Sequence, residues 1–263
     1  MSPAGYTEDA LVERPAIALL AELGWQTVNA YSEFDHGAST LGRETRSEVI
    51  LTARLRPALQ RLNPNMPPEA IDQAIEQLTR DRSRMSMVAA NRAIYNLIKN
   101  GVHVSTPDPE GDGETVELVR IVDWNEPTNN DLLFCSQFWV TGEMYTRRAD
   151  LVGFVNGLPL VFIELKAAHC RLETSFTGNL RDYKDTVPQL FWPNALIILS
   201  NGSQSRVAAS PLAGSTSLNG RRSAARTRQA ECRWRPCCVA SAIRRGCWTW
   251  WKTLRYFRKP LAD

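Results

Sequence analysis

The chain has 263 residues, 43% of them hydrophobic and 22% charged, with a formal net charge of +3. The apolar fraction excludes a disordered chain, and the length suits one domain with an extension or two small ones. No apolar run reaches the roughly eighteen residues of a transmembrane helix. Residues 1–9 lack the basic and apolar regions of a secretory signal, so a cytoplasmic location is expected.

The charge is unevenly spread. Residues 209–263 hold 12 Lys and Arg against 2 acidic residues, a local charge of +10, which leaves −7 for residues 1–208. The same C-terminal stretch holds four of the six Cys and four of the eight Trp. An acidic body and a basic tail therefore need separate explanations.

Helical patterns come first. Residues 8–23 space Leu11, Val12, Ile17, Leu19, Leu20 and Leu23 as a helix, with Thr7 as N-cap and Gly24 as the stop. A second helix is predicted over 44–62 from Val49, Ile50, Leu55, Leu59 and Leu62, and a third from Pro68 through Leu78. A fourth spans 86–99 and ends at Asn100-Gly101. Residues 105–114 read as a loop. Strands are predicted over 115–122, 132–140, 150–155, 160–165 and 195–200, and a polar helix over 173–186. The runs at 150–155 and 160–165 are nearly continuous in apolar residues, as in strands buried on both faces. The expected fold is α/β, a mixed sheet of about five strands flanked by helices, with an N-terminal helical region and an irregular tail.

The chemistry concentrates between Arg147 and Lys166. Asp150 opens one buried strand, and Glu164 and Lys166 close the next. Charges enter a core only when paired or metal-bound. Register decides whether they meet. A two-residue turn at Asn156-Gly157 pairs Asp150 with Ile163 and sends Glu164 to the other face. An odd loop centred on Gly157 pairs Val155 with Pro159 and Asp150 with Glu164, and the absent N–H of Pro159 favours this second register. Glu164 and Lys166 then share the face of Asp150. Opposed carboxylates repel unless a cation lies between them, and such a pair suits Mg²⁺. This is the arrangement of a PD-(D/E)xK nuclease site. The plainer alternative is that both carboxylates are strand-end charges paired with Arg147, Arg148 and Lys166.

The chain resembles the N-terminal nuclease domain of the restriction (R) subunit of type I restriction–modification enzymes. The likeness runs over about residues 7–207. It is carried by Leu11-Val12-Glu13-Arg14-Pro15, Leu23-Gly24-Trp25, Arg148-Ala149-Asp150, Val155-Asn156-Gly157-Leu158-Pro159-Leu160, Ile163-Glu164-Leu165-Lys166, Tyr183-Lys184-Asp185, Pro188-Gln189-Leu190-Phe191 and Ile197-Ile198-Leu199-Ser200-Asn201-Gly202. The resemblance implies a restriction-endonuclease-like nuclease core at about 115–207. In it Asp150, Glu164 and Lys166 are catalytic. Mg²⁺ is held by Asp150, Glu164 and the backbone carbonyl of Leu165. It also implies a supporting glutamate on the first helix, Glu13 ahead of Glu22. Many relatives carry Gln-x-x-x-Tyr after the active-site strand; Asn179 and Tyr183 stand at that spacing here, with Asn one methylene shorter. The implied partners are DNA and the modification and specificity subunits. ATP is used by a translocase domain, and no G-x-x-x-x-G-K-[ST] motif occurs in this chain. His169 follows the triad by three residues, within reach of a phosphate, though a surface-loop histidine is the plainer reading; His36 and His103 have no readable partners.

Residues 208–263 do not read as a zinc or disulfide module, because Cys232, Cys237, Cys238 and Cys247 form no paired C-x₂-C spacing and no His is near. The expectation is an out-of-frame, poorly ordered tail. With a one-base shift, the codons for Cys247-Trp248-Thr249-Trp250-Trp251-Lys252-Thr253 can spell Leu-Leu-Asp-Leu-Val-Glu-Asn, an amphipathic helical sequence. The expected activity is a Mg²⁺-dependent endonuclease lacking its motor. The rival readings are a non-catalytic DNA-binding or assembly module and an inactive pseudogene fragment. Sequencing the gene checks the tail: a second frame from about codon 208 should continue the family pattern, and its absence refutes the frameshift.

Overall fold

A computed structural model describes residues 13–107, 113–166, 178–201 and, as backbone, 205–209. Thr7, His169, the residues before Glu13 and the tail beyond 209 lie outside them. Helix α1 (Arg14–Glu22) stops as its sequence predicts. Gly24 takes φ +88°, its N–H bonds Ala21 at 3.0 Å, and Trp25 N–H reaches back to Leu20 at 3.1 Å. These paired bonds close the last turn in a Schellman motif. A short strand, β1 (Gln26–Asn29), follows.

Helix α2 covers Thr52–Leu62 rather than 44–62. The reason is tertiary. Arg43 and Glu33, both with fully buried side chains, form an ion pair. The same guanidinium takes the carbonyls of Glu48 at 2.8 Å and Trp139 at 3.2 Å, while the carbonyl of Arg46 accepts from Thr141 N–H at 3.0 Å. With these acceptors committed elsewhere, the helix cannot start before Thr52. Val49, Ile50 and Leu51 enter the core on irregular chain instead.

Helices α3 (Pro68–Thr79) and α4 (Met87–Asn100) stand where expected. Ser86 caps α4 by accepting from Ala89 N–H at 3.3 Å. The stretch predicted as a loop is partly strand: β2 (Val102–Pro107) pairs antiparallel with β3 (Glu114–Val119). This hairpin forms its own two-stranded sheet, so the strand predicted at 115–122 is not part of the central one. Gln73 and Gln77 of α3 donate to the backbone of Ser105 and His103, which occupies the hairpin's edge.

The central sheet adds β4 (Leu132–Thr141), β5 (Thr146–Val155), β6 (Leu158–Leu165), β7 (Leu196–Ser200) and β8 (Ser205–Ala209), with α5 (Asn179–Thr186) between β6 and β7. Its order is β1-β4-β5-β6-β7-β8. β1 runs parallel to β4 and β6 parallel to β7; the remaining neighbours are antiparallel. The mixed α/β sheet is as expected, with six strands where about five were predicted. Every residue of β6 is buried.

The β5–β6 hairpin combines the two registers weighed above. Its turn is the two-residue one, with Val155 opposite Leu158 and positive φ at Asn156 (51°) and Gly157 (79°), the type I′ signature. The odd loop centred on Gly157 is therefore wrong. Phe154 pairs with Pro159, but Gly153 pairs with Val161, so Leu160 is an extra residue, a β-bulge. The carbonyl of Leu160 faces away from β5 and accepts from Ala195 N–H at 2.8 Å. Asn156 is fully buried and fully bonded, accepting from Asp131 N–H and donating to Ile121 O and Asn130 Oδ1. Helix α2 seats on the turn through Leu51 N–H to Gly157 O at 2.9 Å.

A Cβ on Gly157 would lie 2.5 Å from Leu51 O, in a backbone region L-residues avoid. Gly157→Ala should therefore lower stability by about 2 kcal/mol or more, read as a shift of the urea unfolding midpoint.

Candidate active site

The described β5–β6 pairing ends with Leu151 opposite Ile163. One step further in the same register, Asp150 stands opposite Glu164. These are the third and fourth strands of six, so the charges sit at the ends of central strands. Asp150 Oδ2 accepts from Leu165 N–H at 2.8 Å, a carboxylate taking the place of a ladder carbonyl. Lys166 N–H bonds Ser200 O at 2.8 Å, which carries the chain on beside β7. The Lys166 ammonium then lies 2.7 Å from Glu164 Oε1.

Glu164 is 4% exposed. Its Oε1 also accepts from Asn179 Nδ2 at 3.1 Å. Its Oε2 is buried and has no hydrogen-bond partner among the described residues. A buried carboxylate oxygen left this way is costly unless something else occupies its lone pairs. Arg147 and Arg148 do not neutralise Glu164: Arg147 Nε donates to Thr186 Oγ1 at 3.1 Å, and Arg148 lies over the rings of Tyr31 and Trp139.

Helix α5 brings two of the sequence candidates here. Asn179 reaches Glu164 despite its shorter side chain. Tyr183, four residues on, packs edge-on against Phe162 at 5.2 Å and donates its hydroxyl to Arg148 O. Burial, then the charges of Glu164 and Asp150, push the Tyr183 hydroxyl well above the usual phenol range, so it stays a donor.

Glu13 precedes α1, and both its carboxylate oxygens accept from Gln137 Nε2 at 2.9 Å. Gln137 lies on β4 between Ser136, opposite Leu151, and Phe138, opposite Ala149, which puts it beside Asp150 of β5. It takes the left-handed region, φ 56°. Glu13 is thus linked to the strand beside Asp150, whereas Glu22 sits at the other end of α1. His36 is exposed, and His103 lies on the separate hairpin. Gln137 was not legible from sequence. No residue type announces a left-handed turn inside a strand, and its partner lies 124 positions away.

Among the described residues, no group of three or more His, Cys, Asp or Glu side chains could hold a metal. Mg²⁺ needs less: one or two carboxylates, with waters filling the rest. Asp150 and Glu164, with the open Glu164 Oε2, fit that demand. A recess of about 1020 Å³ between Gly42–Thr52, Leu78–Ile94 and Thr141–Tyr145 contains none of the three charged residues. No helix among the described residues is long and apolar enough to cross a membrane.

Residues 5–214 match the family model for the type I restriction enzyme R protein N terminus. The chain is 30% identical over 203 residues to the type I restriction enzyme HindI endonuclease subunit of Haemophilus influenzae, covering 75% of this chain and 19% of that one. It is 27% identical over 215 residues to a protein assigned as the type I restriction enzyme MjaIXP endonuclease subunit of Methanocaldococcus jannaschii, covering 77% and 19%. The chain therefore spans about a fifth of the length of these relatives.

Lys166→Met should destabilise the fold by about 3 kcal/mol, because it strips the buried Glu164 of its cation. Adding Glu164→Gln should recover most of that loss. A double-mutant cycle in urea measures the coupling.

Proposed function

The chain belongs to the family of type I restriction enzyme R protein N termini, and on that premise we propose that it is a Mg²⁺-dependent DNA endonuclease module of the PD-(D/E)xK class. The observation that carries the reading is the register that sets Leu151 against Ile163 and, continued one step, Asp150 across from Glu164, with Lys166 ion-paired to Glu164. A buried carboxylate oxygen with no hydrogen-bond partner among the described residues supports a cation at this point.

In this reading Asp150, Glu164 and the Leu165 carbonyl hold Mg²⁺. Bound there, the ion supplies charge stabilisation to the scissile phosphate and polarises water. The chain's own groups do the rest. Leu165 N–H fixes the rotamer of Asp150 by holding Oδ2. Asn179 and Lys166 both hold Oε1 of Glu164, which leaves Oε2 for the metal. Lys166 Nζ, bonded to that carboxylate, is poised to orient the attacking water or to stabilise charge building on the phosphate. Tyr183 supports the end of β5 by bonding Arg148 O. Glu13, clamped by Gln137, is the supporting glutamate beside Asp150.

The intact enzyme would couple this cleavage to an ATP-driven translocase and to modification and specificity subunits, which supply the site recognised on DNA. Residues 1–208, at −7, are poor at non-specific DNA binding, in keeping with targeting by partners.

Asp150→Asn, Glu164→Gln and Lys166→Ala should each lower nicking of supercoiled plasmid in Mg²⁺ at least about 100-fold, and EDTA should abolish it. Equal nicking by wild type and variants overturns the catalytic reading.

A further inference from the structure

We propose that Arg148 is a DNA-gripping residue, whose guanidinium holds the phosphate next to the one at Asp150 and Glu164. The inference rests on the nuclease reading of those carboxylates. Arg148 and Asp150 are two residues apart on β5 and so point to the same side of the sheet, about 7 Å apart along the strand.

Arg148 is exposed, yet it is not loose. Its guanidinium carbon lies 5.5 Å from the ring centre of Tyr31 and 5.4 Å from that of Trp139. Trp139 is its cross-strand partner on β4, and the indole N–H of Trp139 donates to Tyr31 O at 3.2 Å, which fixes the two rings relative to each other. The backbone is pinned as well, since Tyr183 bonds the Arg148 carbonyl. Among the described residues, the guanidinium makes no ion pair or hydrogen bond. Arg147, one residue earlier, is half-buried and spends its Nε on Thr186.

Aromatic contact engages the flat face of a guanidinium and leaves its N–H edges for an anion. A rigid fork of donors suits the paired oxygens of a phosphate. A polynucleotide backbone offers phosphates in series, one at the carboxylates and one at Arg148. In a body of net −7, a cation held at that spacing supplies the local attraction that the overall charge denies.

The test uses the full chain with a fluorescent 30-base-pair duplex, in EDTA to prevent cleavage. Arg148→Ala should raise Kd about tenfold and reduce the slope of log K against log salt by about 0.9. Arg148→Lys should restore the slope and only part of the affinity, because an ammonium lacks the planar face. The basic residues 209–263 contribute equally to each variant, so a second readout examines the arginine itself. DNA should protect Arg148 from phenylglyoxal, followed by peptide mass spectrometry. Equal modification with and without DNA overturns the proposal whatever the affinities show, as does a wild-type chain that binds no DNA. Neither readout involves cleavage, so a failure of the nuclease reading shows separately, as wild-type nicking by Asp150→Asn.

Discussion

The pairing of β5 with β6 contains one extra residue, Leu160, and the candidate site depends on it. A two-residue turn alone would set Asp150 against Ile163 and turn Glu164 to the opposite face. The bulge moves the rest of β6 by one position, so Asp150 and Glu164 meet across the strands. The bulge is held from the far side by the Ala195 N–H, just before β7, so the strand that flanks β6 on its other edge helps set the register of the hairpin. Bulges beside active sites commonly re-aim side chains in this way.

Placing two carboxylates opposite each other is unfavourable, and the scaffold around them is correspondingly over-determined. Asn156 anchors the turn at 0% exposure with both polar atoms of its side chain bonded, and the start of α2 rests directly on Gly157. At the other end of the hairpin, Lys166 and Asn179 share one oxygen of Glu164, and Leu165 N–H binds Asp150. The buried acid is stabilised by a cation and a donor rather than by solvent. What remains open among the described residues is one buried oxygen of Glu164, and a cation shared by the two acids would offset their repulsion.

Much of the fold was legible because it depends on local spacing. The stops at Gly24 and Gly101 and the doubly buried runs of β5 and β6 are all set within a few residues of themselves. The misplaced elements share a different cause. Residues 44–51 have a helical apolar pattern, but Arg43, Glu33 and Thr141 take up the backbone and its space. β2 looked like loop because its strand character comes from pairing with β3 and from the glutamines of α3. β1 has four residues and a single apolar side chain, Val28, and exists as a strand through its pairing with β4.

The same division runs through the site. By itself the sequence determined which residues carry charge at the ends of buried strands, Asp150, Glu164 and Lys166, and that Asn179 and Tyr183 follow one turn apart on a helix. Those facts need only alternation and helical period. The tertiary structure alone decided how Asp150 and Glu164 come to face each other, that Glu13 reaches Gln137, and that Arg148 lies against the rings of Tyr31 and Trp139. Each of these is fixed by contacts between segments far apart in the chain, and no local pattern encodes the bulge, the left-handed Gln137 or the ring pair that holds them.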